Sequence, residues 1–519
     1  MLRVLAIGQK GRSQTLFVAS RLASTLSSEF SSLKDSSLLH QQAFIDGKWV
    51  DAKDGAIIKV INPATTKELG TVPELTLEDT KAAIDAASRA FKTWSKTTAK
   101  YRHDVLMKLH KLMMENTEDL GRIITLENGK PLVEGKGEHA YSASFVEWFA
   151  EEAVRTYGTV IPSSIPEIRN VTIQQPIGVC ALLTPWNFPS AMITRKVAPA
   201  LAAGCTVVIK PPSETPFSAL ALVELANRAG VPPGVINVVT THKNIQEVGK
   251  ELCENKTIKK VSFTGSTPVA KMLMQQASST LKKVSFEAGG NAPFVVFDDA
   301  DIDKAVEGAI ASKFRGTGQT CVCANRLYVQ SSIYAEFASR LAERVDQFKV
   351  GNGLDQGTTH GPLIHNKAIE KVEAHIKDAV AGGAEILVGG ERVKDLAGSF
   401  FQPTVLSNVS QQARITDEET FGPVAALIKF ETEDEVIELC NDTDAGLAAY
   451  FFSRDISRVW RVAELLEVGM IGVNTGVISQ ACIPFGGVKE SGLGREGGQK
   501  GIEEYMETKF IAFGGLAGK

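Results

Sequence analysis

The stretch TVVIKPPSETPFSALALVELANRAGVPPGVINVV, residues 206–239, decides the fold. It opens on a short apolar run, Thr206-Val207-Val208-Ile209, rich in β-branched residues. Thr215-Pro216 then offers a cap and a first-turn proline, and the helix they start is expected to run to Gly230. Val235 to Val239 is the next strand. Strand, helix and strand with short loops make a parallel pair joined by a crossover helix. Working outward, Val179-Cys180-Ala181-Leu182-Leu183 is a buried run upstream, and Asn244 to Cys253 reads as a helix. Val261-Ser262-Phe263-Thr264 is another strand, and Gly265-Ser266-Thr267 opens a helix to Gln276. Sheets of this kind bind ligands beyond the carboxyl ends of their strands, so the architecture is of the nucleotide type.

Folded sequence is expected to begin near Phe44, where Phe44 to Val50 reads as two short strands around an Asp-Gly turn. From about Leu77 to Ala150, apolar residues recur at helical spacing. After Gly289-Gly290 comes a second α/β domain. Pro293 to Phe297 is its first strand and Ile302 to Phe314 a helix; alternation continues through Ile386-Leu387-Val388-Gly389-Gly390 and Val424 to Phe430 to about Val473. Gly492-Leu493-Gly494-Arg495-Glu496-Gly497 fits the G-x-G-x-x-G pattern, but no hydrophobic strand precedes it, so it is not expected to cradle a pyrophosphate. The helix opening at Gly265-Ser266-Thr267 is better placed, because free amides and the helix dipole favour an anion.

Composition excludes other classes. The 519 residues are 44% hydrophobic and carry a net charge of −4 with both signs interspersed, which argues against nucleic acid held through phosphates. No apolar run approaches the ~18 residues of a membrane span, so no membrane insertion is expected; the most apolar stretch is Val197 to Ile209. Seven cysteines are few and odd in number, a pattern of free thiols in a reducing compartment. Cys321 and Cys323 have no second pair to complete a zinc site, and no metal is expected. Residues 1–28 carry Arg3, Lys10, Arg12 and Arg21 and no acid before Glu29, which reads as a mitochondrial transit peptide over residues 1–37, with a disordered tail as the alternative; as a transit peptide it places the protein in the mitochondrial matrix.

Four residues stand out for chemistry. Cys321 lies in the polar segment from Gly318 to Arg326, whereas Cys180, Cys205 and Cys440 lie in apolar runs; it is either a nucleophile or a packed thiol. Cys323 is either its redox partner or a second packed thiol. Glu287 ends an apolar run before two glycines, which suits a base with a raised pKa as well as an exposed loop carboxylate. Asn187, between Pro185 and Pro189, could offer a fixed amide to an oxyanion or simply shape a turn.

Pro185-Trp186-Asn187-Phe188-Pro189, Phe263-Thr264-Gly265-Ser266-Thr267, Phe286-Glu287-Ala288-Gly289-Gly290, Gly318-Gln319-Thr320-Cys321, Glu419-Thr420-Phe421-Gly422-Pro423 and Pro484-Phe485-Gly486-Gly487-Val488-Lys489 occur in the order seen in the aldehyde dehydrogenase superfamily. Over residues 42–515 the chain resembles that superfamily, and most of all its members acting on succinate semialdehyde. The pointers are Met192 to Lys196, Lys313-Phe314-Arg315, Cys321-Val322-Cys323 and Val477-Ile478-Ser479. The resemblance implies an α/β fold with a Rossmann-type cofactor domain (42–154 and 177–288), an α/β catalytic domain (289–485) and a small β oligomerisation arm with tail (155–176 and 501–519). It implies Cys321 as nucleophile, Glu287 as base, and Asn187 with the Cys321 N–H as oxyanion hole. The thiolate would attack the aldehyde, hydride would pass to the nicotinamide, and water activated by Glu287 would hydrolyse the thioester. Trp186, Lys210, Ser213, Gly265, Ser266, Glu419 and Phe421 would bind NAD+ or NADP+. Arg195, Arg315 and Ser479 would hold the far carboxylate, and Cys321 with Cys323 would form a redox switch.

The departures are local. Ser213 stands where many NAD-preferring relatives have a Glu that repels a 2′-phosphate, so NADP+ should be accepted, although Glu214 lies next door. Ala270 and Thr475 differ from the usual Gly and Glu. Another carboxylated semialdehyde, such as glutarate semialdehyde, is the alternative substrate. Betaine aldehyde, cationic at its far end, suits Arg195 and Arg315 poorly. A cofactor-free thiol hydrolase is the alternative of a different class; the nucleotide-type sheet and the lack of a histidine near Cys321 in sequence speak against it. The expected partners are a small-molecule substrate and further copies of the chain, as a dimer or tetramer.

Overall fold

Short β-branched runs pair into parallel sheets once helices cover both faces. The computed structural model describes residues 26–516. In its first sheet five strands run parallel in the order Ile236–Val238, Thr206–Lys210, Val179–Leu183, Ile258–Thr264 and Lys283–Glu287. Val179–Leu183 and Thr206–Lys210 are buried at every position. Antiparallel strands close both edges, Ala43–Ile45 with Lys48–Val50 on one side and Gly492–Leu493 on the other. The chain steps outward from Val179–Leu183 in one direction, then returns to Ile258–Thr264 on its other side. That reversal opens a crevice at the carboxyl ends of these two strands.

The crossover helix is Pro216–Ala229, with Gly230 left-handed after it (φ 93°). Its cap differs from expectation. The Thr215 hydroxyl has no partner; the buried Glu127 carboxylate instead accepts the Phe217 and Ser218 N–H groups, each at 2.8 Å. A distant acid does there what a local hydroxyl usually does. Helix Ala191–Ala203 leaves no helical period in the sequence, because all its positions are buried and no polar face marks it. The single apolar run Val197 to Ile209 is the end of that helix, a turn at Gly204 and the next strand.

The second sheet orders Glu385–Val388, Thr404–Ser407, Val424–Phe430, Ala324–Gln330, Ala292–Val296, Ala448–Phe452 and Met470–Val473, parallel except at its first pair. A separate antiparallel sheet joins Val160–Ile161, Arg169–Pro176 and Met506–Phe513. No helix among the described residues is long and apolar enough to cross a membrane.

The folded body starts earlier than Phe44. Phe30 is buried edge-on against Phe217 (5.6 Å), Leu38 is buried, and the Lys34 and Asp35 N–H groups donate to the Asp119 carboxylate. The boundary expected at residue 37 therefore cuts through packed structure. The part of the expected transit peptide in residues 1–25 lies outside the described residues. Phe30→Ala should cost about 3 kcal/mol in a denaturant melt, and a change below about 0.5 kcal/mol would mean that the segment is not part of the cooperative unit.

Candidate active site

The crevice is built from strand ends. Val179–Leu183 runs into Thr184-Pro185-Trp186-Asn187, Ile258–Thr264 into Gly265-Ser266, and Lys283–Glu287 into Ala288-Gly289. From the second sheet come Cys321, on the turn before Ala324–Gln330, and Glu419 and Phe421, before Val424–Phe430. They enclose a cavity of about 230 Å³, whose walls include Trp186, Asn187, Gly265, Ser266, Cys321, Glu419 and Phe421. These seven expected residues meet in one place. Glu287, Lys210, Ser213, Arg195, Arg315 and Ser479 lie off the cavity wall.

Close backbone contacts fix the turn that carries Cys321. A Cβ on Gly290 would lie 2.5 Å from the Cys321 carbonyl oxygen, so only glycine lets these strands approach. Gly318 has φ +74°, and its Cβ would lie 2.1 Å from the Gly422 oxygen. The loops carrying Cys321 and Phe421 are thus locked together. Phe421 holds a left-handed backbone (φ 52°) and meets Trp186 edge-on at 5.6 Å, a strained placement of the kind found at functional sites.

The Trp186-Asn187 turn is held from outside. Asn128 Nδ2 donates to the Trp186 carbonyl (3.0 Å), and Lys130 Nζ to the Asn187 carbonyl (2.8 Å). Lys130 in turn pairs with buried Glu138 at 2.6 Å. Asn187 Nδ2 spends one proton on the Gln319 carbonyl (3.1 Å), leaving its second free. The Cys321 N–H is taken by no other group among the described residues.

Glu287 is 2% exposed and its Oε2 has no hydrogen-bond partner. Burial, with Glu496 nearby, pushes its pKa up to about 8 against the pull of Arg195, Lys196 and Arg495. Cys321 is half-buried; its thiol is pushed up to about 12, chiefly by burial and against the pull of Arg195. Both shifts favour the protonated form of the group concerned. The Cys323 thiol is buried and donates to the Lys313 carbonyl, and all cysteines among the described residues are free.

Behind Glu287 lies a buried charge cluster that sequence reasoning missed. Arg195 Nε pairs with Glu496 Oε2 at 2.5 Å, and Lys196 Nζ binds Glu496 Oε1 and Ser262 Oγ. Burial pushes Glu496 up, but the two cations outweigh it and hold it below the usual carboxylate range. Glu496 belongs to the G-x-G-x-x-G segment, whose Gly492–Leu493 pairs with the strand ending in Glu287. The available signal was a lone acid in a glycine-rich loop. Arg195 also stacks on Phe485 (4.2 Å), and its Nη2 is buried without a partner; Arg315 lies over Phe188 (5.4 Å). Ser479 is half-buried in the loop after Met470–Val473.

The cavity fits a dinucleotide. The helix Thr267–Ala277 opens onto it with no side-chain cap, so its amides are free for a pyrophosphate. The Thr264 hydroxyl is buried without a partner, and half-buried Glu419, pushed up to about 7 by burial, offers oxygens to a ribose. Lys210 ends the strand beside the crevice, its pKa lowered by burial. Ser213 Oγ lies 3.1 Å from His242 Nδ1 and donates to Glu214 at 3.2 Å. No cluster able to hold a metal ion occurs among the described residues.

Known proteins match this geometry along nearly the whole chain. The profile of the aldehyde dehydrogenase family covers residues 49–511. A glutarate-semialdehyde dehydrogenase of Pseudomonas putida is 58% identical over 92% of this chain and 99% of its own. An Escherichia coli succinate-semialdehyde dehydrogenase [NADP(+)] is 57% identical over 93% and 99%. A rat mitochondrial succinate-semialdehyde dehydrogenase is 52% identical over 92% and 91%. The crystal structure of an E. coli NADP-dependent enzyme superposes with a TM-score of 0.92 at 57% identity, covering 93% of this chain and all of that one.

Proposed function

Because the chain belongs to the aldehyde dehydrogenase family, we propose that it oxidises succinate semialdehyde to succinate with NADP+ or NAD+. The observation that carries the substrate is the pair of guanidiniums, Arg195 and Arg315, whose charges act on the buried region holding Cys321, Arg195 with an unspent Nη2. A fork of fixed donors suits a carboxylate at the far end of a short aldehyde, with Ser479 as an added hydroxyl. Glutarate semialdehyde, one methylene longer, is the second substrate, supported by the P. putida relative.

Cys321 is the nucleophile and Glu287 takes its proton; the carbon–sulfur bond forms as the carbonyl oxygen gains charge. That oxyanion is held by the free proton of Asn187 Nδ2 and by the Cys321 N–H, donors already fixed by the braced loops that carry them. NADP+ or NAD+, when bound, would supply the hydride acceptor that oxidation of the adduct to a thioester needs. Trp186, Gly265, Ser266, Glu419 and Phe421 would line its nicotinamide and phosphate half, Lys210 and Ser213 its adenosine half. Glu287, once it has given the thiol's proton up to solvent, deprotonates water for hydrolysis and returns that second proton as sulfur leaves. In this reading the first sheet is the cofactor domain and the second the catalytic domain.

The cofactor reading is tested at Ser213. Wild type should use NADP+ at least as well as NAD+, and Ser213→Glu should cut kcat/KM for NADP+ about a hundredfold by placing a carboxylate against the 2′-phosphate. A hundredfold preference of the wild type for NAD+ would overturn it. A Cys321–Cys323 disulfide would cap the nucleophile, making the enzyme sensitive to oxidants. Residence in the mitochondrial matrix is supported by the acid-free, basic residues 1–28 and by the rat relative. Assembly with further copies is supported by Val160 and Phe510, exposed apolar side chains on the separate sheet.

A further inference from the structure

Tyr141 takes no part in the chemistry of Cys321 and Glu287, yet it is a polar group in an unusual position. It lies on helix Leu132–Ala153, edge-on to Phe145 (4.8 Å) and packed against the Phe188, Ala191 and Met192 cluster. Its hydroxyl oxygen is buried and has no hydrogen-bond partner. Its cationic neighbours are Arg195, which faces the oxygen as a donor, and Arg315, which acts on it through charge alone. Guanidiniums carry no lone pair to accept with, so the phenol proton has no acceptor. Burial raises its pKa, so the hydroxyl keeps that proton. A buried O–H left unmade is destabilising, and such a group persists in a folded protein where something absent completes it. Arg195 Nη2, also buried and unpaired, is a second unspent donor of the same region, and Cys321 is close enough to both residues to feel their charge state.

We propose that the Tyr141 hydroxyl is a third donor to the far carboxylate of the substrate, a specificity-determining residue beside Arg195 and Arg315. This rests on the semialdehyde reading of the site. An anionic oxygen is the one acceptor that answers a phenol proton and two guanidiniums together. A neutral aldehyde of the same length brings no such oxygen and leaves all three donors unmade.

The test compares the full chain with Tyr141→Phe, using NADP+ with succinate semialdehyde and with butanal. The wild type should prefer succinate semialdehyde. Tyr141→Phe should lower kcat/KM for it about ten- to a hundredfold, mainly through KM, the loss expected for a hydrogen bond to a charged group. Its activity on butanal should stay within about twofold, which also reports that the variant is folded. Succinate binding to the same two proteins without cofactor, followed by calorimetry, should weaken in parallel. An unchanged kcat/KM for succinate semialdehyde, or an equal fall on both aldehydes, overturns the proposal while leaving the semialdehyde reading in place. A wild type that does not discriminate between the two aldehydes overturns both.

Discussion

Cys321→Ala should lose dehydrogenase activity by about four orders of magnitude or more, with its melting temperature essentially unchanged. The two halves of that expectation have separate causes. The thiol sits half-buried on a turn fixed by backbone contacts, those of Gly290 with the Cys321 carbonyl and of Gly318 with Gly422. Trimming one sulfur therefore leaves the loop's own supports intact. Chemically, nothing nearby can replace it. Cys323 is buried with its thiol on the Lys313 carbonyl, and no serine or threonine is on the cavity wall except Thr264 and Ser266, at the end of the neighbouring strand. Reduced cofactor formed from a panel of aldehydes, followed by absorbance, is the measurement. Full activity in the variant would end the nucleophile assignment.

Glu287→Gln should separate the two half-reactions. Turnover should fall by about 10²- to 10⁴-fold, the usual contribution of a positioned base. A burst of reduced cofactor near one per site should survive where the thiol can still be deprotonated, as at high pH. The pH dependence carries the sign. Glu287 has its pKa raised to about 8 by burial and by Glu496. A general base works when ionised, so wild-type turnover should climb as pH rises from about 7 to about 9 and then level. The glutamine variant should lack that limb. If the same limb persists in Glu287→Gln, the titrating base is another group.

Much of this site is legible in the chain, because its residues sit at strand ends, and strand ends come from short β-branched runs. Val179-Cys180-Ala181-Leu182-Leu183 and Val261-Ser262-Phe263-Thr264 are recognisable as strands, and the loop leaving each of them lines the crevice. Pattern alone does not choose between a packed and a reactive Cys321; six motifs in sequence order narrow that choice. The features that stay hidden depend on distant partners. The helix Ala191–Ala203 lacks a polar face, and Glu127 caps a helix some ninety residues away, so neither leaves a local mark. Glu496 lies in a glycine-rich loop that offers no strand to read, yet it pairs with both Arg195 and Lys196. Phe30 falls within a tail expected to be removed, although it packs on Phe217.

The placement of Glu496 has a meaning for synthesis on the ribosome. By the time Cys321 emerges, Arg195, Lys196 and Glu287 are already made, but the acid that pairs with both cations is still more than a hundred residues away. Chains grow at about 5–20 residues per second, so Cys321 is made roughly 9 to 35 seconds before Glu496. Gly492–Leu493, which pairs with the Glu287 strand, arrives in the same late stretch. In chain order, the loop that balances the charge behind Glu287 is therefore among the last parts of the protein to be made.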